Sequence, residues 1–257
     1  MLIDVINFRC HYNELPWLYK GFVSYDTIKR VMQESGKFFH SMTPDVYSGI
    51  ALACVLESYH YSFKPYTLNA ASHHSIGTAA FSGGSDRQAA KIFFSEENLP
   101  FHNKLVMAPS IPIIVAESFL QAQDHISSAK RFKIDIKKVL KAAVKQTVRY
   151  TNNHYEAVIE AVKKIAYLNQ IDDNFISQII SAHKNLPRSY EPVFGFNIFR
   201  GHLLLDCTEF GVRNVYEASL LCKHILTLDK FRHYSLEEIF KTNLRLIKRE
   251  LLRRLDL

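Results

Sequence analysis

Apolar and polar positions along the chain fall into several helical patterns separated by short polar breaks. Ser24 precedes YDTIKRVMQES and Gly36 follows it. A capping serine, apolar Ile28, Val31 and Met32, and a terminating glycine predict a helix between them. A second helix is predicted to start at Thr43-Pro44-Asp45, where proline suits the first helical position. Its continuation toward Tyr61 is apolar on several faces, which predicts burial, expected here against a sheet. Beyond residue 112, Val115–Gln123, Ile136–Tyr150, His154–Leu168 and Asp172–His183 carry apolar residues at three- and four-residue spacing. Helical patterns resume from Val212, after an aromatic stretch at Tyr190–Gly201. Two segments read as extended: residues 2–9 (LIDVINFR) and the alternating YTLNAAS at 66–72. The expected architecture is therefore an α/β portion over residues 1–110 followed by a mainly α-helical region over 111–257.

Composition changes this picture little. A chain of 257 residues with 47% hydrophobic and 22% charged residues can bury a full core and is not of the disordered class. Four widely spaced cysteines form no Cys-x-x-Cys pair, so neither a zinc ribbon nor a thioredoxin-like motif is indicated. No signal peptide is evident and the apolar windows are short, so a cytoplasmic location is expected. The net charge of +7 admits nucleic acid, anionic membrane or phosphate-bearing partners. Much of that charge sits in Lys241–Arg254, whose apolar stripe and basic face could lie on the inner face of a membrane. A helix packed on the domain with its basic face in water explains the same stripe, and nucleic acid is not expected.

Two separated clusters carry candidate chemistry. Phe38-Phe39-His40-Ser41-Met42-Thr43-Pro44-Asp45-Val46-Tyr47-Ser48-Gly49 places a carboxylate on the opening turn of a buried helix. The free N–H groups and the dipole of a helix start suit a negative charge there. Asn69-Ala70-Ala71-Ser72-His73-His74-Ser75 places imidazoles and hydroxyls in a turn after the expected strand. An aspartate in a first turn is more often a dipole partner than a base, and loop histidines more often bond at the surface.

The run from Gly21 to Phe81, with its PDVYS and NAASHHSIG motifs in that order, resembles the latter half of a bacterial family 2 glycosyltransferase domain. NLPFHNKL and IPIIVAESFLQAQ look like its continuation, so the likeness spans roughly residues 13–125. The resemblance implies a partial GT-A-like sheet with helices and inverting transfer from a nucleotide sugar to a glycan or lipid-linked acceptor. Asp45 falls at the base position, and His74 where such enzymes place a residue on the metal, manganese or magnesium, or on the diphosphate. Tyr47, Asn69, Ser72 and Ser75 would line the acceptor pocket. Ala70 stands where the motif has glycine. The Asp-x-Asp of the nucleotide-binding half has no counterpart in the chain, which on this reading resembles a fragment, truncated or one piece of a split enzyme, with activity in doubt. Two alternatives remain open. Arg149 and His154 have the Arg-x4-His spacing of HEPN-type ribonucleases, and the whole chain could be a non-catalytic helical binding module.

Overall fold

A computed structural model describes residues 1–19, 21–60, 92, 99–149, 152–184, 195–197, 202–227, 237, 240, 241 and 244. Internal contacts divide the chain into two compact units, Met1–Ser189 and Tyr190–Leu257.

The first unit is built helix on helix. Its helices are α1 (Leu2–Ile6), α2 (Tyr25–Ser35), α3 (Pro44–Val55), α4 (Ile111–His125), α5 (Ile136–Gln146), α6 (Asn152–Leu168) and α7 (Asp173–Lys184). The expected α/β architecture is corrected here: among the described residues of 1–110 there is no strand, and no GT-A-like sheet is seen. Residues 2–9 form a helix and turn, because Leu2, Val5 and Ile6 recur at the three- and four-residue spacing that one helical face buries. The other expected strand, 66–72, lies outside the described residues. Helix α3 packs against α2 and α4 instead of a sheet.

Helix α4 is the centre of this unit. Ile114, Val115, Phe119 and Ala122 join one core with α1, α2 and α3. Ile113, Ala116 and Leu120 join a second core with α5, α6 and α7. Two apolar stripes on one helix explain why IPIIVAESFLQA is buried almost throughout.

Local sequence sets the ends of the two helices that matter for the site. Ser24 accepts from the Thr27 amide at the start of α2, and Gly36, at φ 77°, stops it in a conformation that favours glycine. At the far end of α3, Arg30 donates to the Val55 carbonyl at 2.8 Å and Arg131 to the Cys54 carbonyl at 3.1 Å. Two guanidinium groups thus meet the negative end of the helix that carries Asp45 at its positive end.

The second unit contains a short antiparallel hairpin, β1 (Gly195–Asn197) with β2 (His202–Leu204), and helix α8 (Val215–Thr227). Among residues 236–255 four positions (237, 240, 241 and 244) are described, two of them in the basic stretch 241–254; they are helical, with Lys241 paired to Glu237. Among the described residues no helix is long and apolar enough to cross a membrane.

Candidate functional site

Asp45 lies half-buried in the first turn of α3. Ser48, one turn on, donates to the Asp45 carbonyl at 2.8 Å and accepts from the Leu18 amide at 3.5 Å. That clamp holds the 12–18 segment along the start of α3. There the Tyr12 ring stacks on Trp17, with centroids 4.8 Å apart and planes 15° from parallel. Trp17 Nε1 donates to the Tyr12 carbonyl at 2.7 Å, and His11 flanks Tyr12 at 4.4 Å. Gly49 makes the close approach possible: a Cβ there would meet Trp17 Cδ1 at 2.9 Å. Burial, and then the negative charge of Asp45, push the Tyr12 phenol up to about 12. Trp17 is 6% exposed within the first core, so of the stacked pair only the half-buried Tyr12 ring reaches solvent.

A second polar group lies beneath it in the core. Glu117, 1% exposed on α4, accepts from Ser41 Oγ at 2.5 Å and from Gln121 Nε2 at 2.9 Å. Ser41 lies 3.1 Å from Ser118 Oγ, which lies 3.0 Å from Thr43 Oγ1. Thr43 is the N-cap of α3, yet its hydroxyl makes no cap bond and joins this network. Glu117 thus anchors, through two serines and a threonine, the turn that presents Asp45. Burial raises the Glu117 pKa against the lowering effect of its hydrogen bonds.

Two histidines near this core are engaged structurally. His102 Nδ1 accepts from the Lys104 amide at 3.2 Å, so Nε2 carries the proton and faces Asp124 at 3.1 Å. With both nitrogens occupied, this Asp–His pair offers no free base. His40 Nε2 donates to the Ser35 carbonyl at 3.0 Å, and its ring stacks on His125 at 3.8 Å.

The residues expected from sequence are placed unevenly. Tyr47 is wholly buried on α3, its hydroxyl without a hydrogen-bond partner among the described residues, so it lies in the core and not at the Asp45 surface. Asn69, Ser72, His74 and Ser75 lie outside the described residues. Among the described residues no cluster of three or more His, Cys, Asp or Glu could hold a metal. Arg149 closes a 3-10 turn after α5, with its side chain outside the described part, and His154 sits half-buried in the first turn of α6.

No family model matches the chain, and no curated protein or solved structure matches it either. The glycosyltransferase resemblance accordingly rests on the motifs quoted above.

Sequence reading missed Glu117, Ser118 and Gln121. A signal was present: a charged residue inside IPIIVAESFLQA, a run apolar on every side, has to be buried and bonded. Nothing local pointed to the Tyr12–Trp17 stack.

Proposed function

We propose that this chain binds the acceptor in an inverting, nucleotide-sugar-dependent glycosyl transfer, with Asp45 as the base. The observation that carries the reading is the half-buried Asp45 carboxylate on the opening turn of α3, with the half-buried Tyr12 ring near enough for its phenol to feel that charge. Aromatic faces suit the C–H face of a sugar ring, which would bring an acceptor hydroxyl toward the carboxylate. Asp45 takes the hydroxyl proton while the acceptor oxygen attacks the anomeric carbon from the side opposite the diphosphate. The new glycosidic bond forms as the bond from carbon to diphosphate oxygen breaks, and the nucleoside diphosphate leaves with that electron pair. A divalent metal, which the family resemblance implies, would neutralise charge on the diphosphate; its expected ligand, His74, is not among the described residues. The reading needs no sheet behind α3, because α4 and the Glu117 network hold the turn.

A non-catalytic sugar-binding module is the second reading. It is favoured by the same aromatic ring and by the absence, among the described residues, of a second catalytic group beside Asp45. Nucleoside diphosphate release separates the two. With a panel of nucleotide sugars and oligosaccharide or glycolipid acceptors, wild type should release diphosphate, and Asp45→Asn should lower the rate about 10²–10⁴-fold. Release that survives Asp45→Asn would remove Asp45 as base. Oligosaccharide binding without release from any donor would leave the binding module.

A further inference from the structure

Glu117, Ser41 and Ser118 are buried, at 1%, 2% and 0% exposure, whereas Thr43, bonded to both serines, is half-buried and reaches solvent. Thr43 is the N-cap of α3, on whose first turn Asp45 stands. Their bonds therefore run from a carboxylate in the core to the surface beside Asp45. The three hydroxyls lie within reach of one another: Ser41 to Ser118 at 3.1 Å, Ser118 to Thr43 at 3.0 Å and Ser41 to Thr43 at 3.2 Å. In each of these bonds either oxygen can be the donor. Hydroxyl hydrogens rotate to suit their partners, so the group at the buried end fixes the direction of the chain.

An ionised Glu117 only accepts. Ser41 then gives its hydrogen to the carboxylate, Ser118 gives to Ser41, and Thr43 gives to Ser118. A lone pair of Thr43 is left facing solvent. A protonated Glu117 instead gives its hydrogen to Ser41. Together with the Thr43 amide, 3.3 Å away, it fills both lone pairs of Ser41, so the Thr43 hydroxyl has no acceptor there. Ser41 gives to Ser118 and Ser118 to Thr43, and the Thr43 hydrogen turns outward. The two patterns interconvert by proton hops. Thr43 releases its hydrogen to water, and each oxygen takes one from its neighbour until Glu117 has lost its own. Gln121 donates to the other carboxyl oxygen in both states.

The groups around Glu117 leave this choice to the carboxyl itself. Ser41 and Gln121 are neutral. Tyr47 of α3 feels the Glu117 charge, but burial pushes its phenol up and keeps it protonated. His102 of the 99–105 segment is bonded to Asp124. Burial also raises Glu117, so the outward-pointing hydrogen persists above the ordinary carboxylate range and reverses as pH rises through the folded value.

We propose that these hydroxyls form a proton-linked relay that makes Thr43 a specificity-determining residue beside Asp45. With Glu117 ionised, Thr43 accepts a hydrogen bond from a ligand hydroxyl; with Glu117 protonated, it donates one. That the ligand is a sugar rests on the proposed acceptor function, whereas the relay does not.

NMR of the full chain, with 13C at glutamate carboxyls and threonine side chains, tests the relay without a ligand. Across about pH 5 to 9, wild type should show one glutamate carboxyl titrating above the ordinary range, and Glu117→Gln should lack it. The Thr43 side-chain carbons should shift with the same midpoint. In Glu117→Gln, whose amide donates to Ser41 at every pH, they should stay at their acidic position. Ser41→Ala leaves the carboxyl in place and cuts the first link. Glu117 should then still titrate, at a higher midpoint because its charged form has lost a donor, while Thr43 loses most of its shift. If Ser41→Ala folds poorly, Ser41→Cys makes the same cut, since a thiol is a weak donor. Three results would overturn the proposal: no such carboxyl, a Thr43 that does not follow it, or a Thr43 shift kept in full when Ser41 is replaced. The last would be the bare field of the charge. Failure of the acceptor function would appear separately, as absent oligosaccharide binding, and would leave these spectra unchanged.

Discussion

Glutamine in place of Glu117 should make the protein resist urea better than wild type at about pH 8, whereas alanine should cost it about 3 kcal/mol. Burial raises the Glu117 pKa, so the folded state holds this proton more tightly than the unfolded chain does. The linked stabilisation is complete below the ordinary carboxylate value and is lost as pH rises through the folded value. Glutamine carries no such proton, so its midpoint should not decline on the alkaline side. It can also keep the local bonds: its Oε1 accepts from Gln121, and its amide donates to Ser41, whose own proton turns to Ser118. Alanine leaves a cavity and removes the acceptor of Ser41 Oγ and Gln121 Nε2. His40 and His102 act with the opposite sign. Burial is the main cause lowering both, so the stability linked to them is complete above the unfolded histidine value and falls as pH drops through their folded values. Wild type should therefore lose stability on both sides, and Glu117→Gln on the acid side only. Urea midpoints across about pH 5 to 9 check this; superimposable curves for the two proteins would refute the buried-carboxylate account.

Valine at Gly49 should destabilise the protein by about 3 kcal/mol, and alanine by about 1 kcal/mol. A glycine inside a helix normally costs about 1 kcal/mol relative to alanine, so substitution at an open site would stabilise. Here the first added carbon meets Trp17 Cδ1 at 2.9 Å and Leu15 Cβ at 3.2 Å. Overpacking of this kind costs about 1–3 kcal/mol and outweighs the propensity gain. The indole has to move, which breaks its bond to the Tyr12 carbonyl and unstacks the pair. Thermal melts together with Trp17 emission should report both effects. An alanine variant more stable than wild type would show that the indole has room to move.

The helical half of the sequence reading follows the structure because its signals are local. Ser24 and Gly36 bound α2, and Pro44 opens α3, through chemistry confined to a few neighbouring residues. The spacing for α5, α6 and α7 places each helix within a few residues of its observed ends. The error over residues 2–9 has the same origin: a five-residue helix offers barely one turn of periodicity, and apolar Leu2, Ile3, Val5 and Ile6 suit either state. The expectation of a sheet came from the resemblance, from residues 2–9 and 66–72, and from the apolar faces of α3, which neighbouring helices cover instead. What local patterns cannot encode is the site. Ser41 meets Glu117 across 76 positions, and Trp17 meets Gly49 across a loop and a helix. Such pairings arise only when α3, α4 and the 12–18 segment are packed.

The central claim is that Asp45 and Tyr12 form one sugar-acceptor surface, and emission of Trp17, stacked beneath Tyr12, tests it most directly during oligosaccharide titration. The account predicts a saturable change in wild type, nearly unchanged affinity in Asp45→Asn, and affinity lowered at least about tenfold in Tyr12→Leu, where the stacking face is lost. No response to any oligosaccharide, or a response equally strong in Tyr12→Leu, would contradict it.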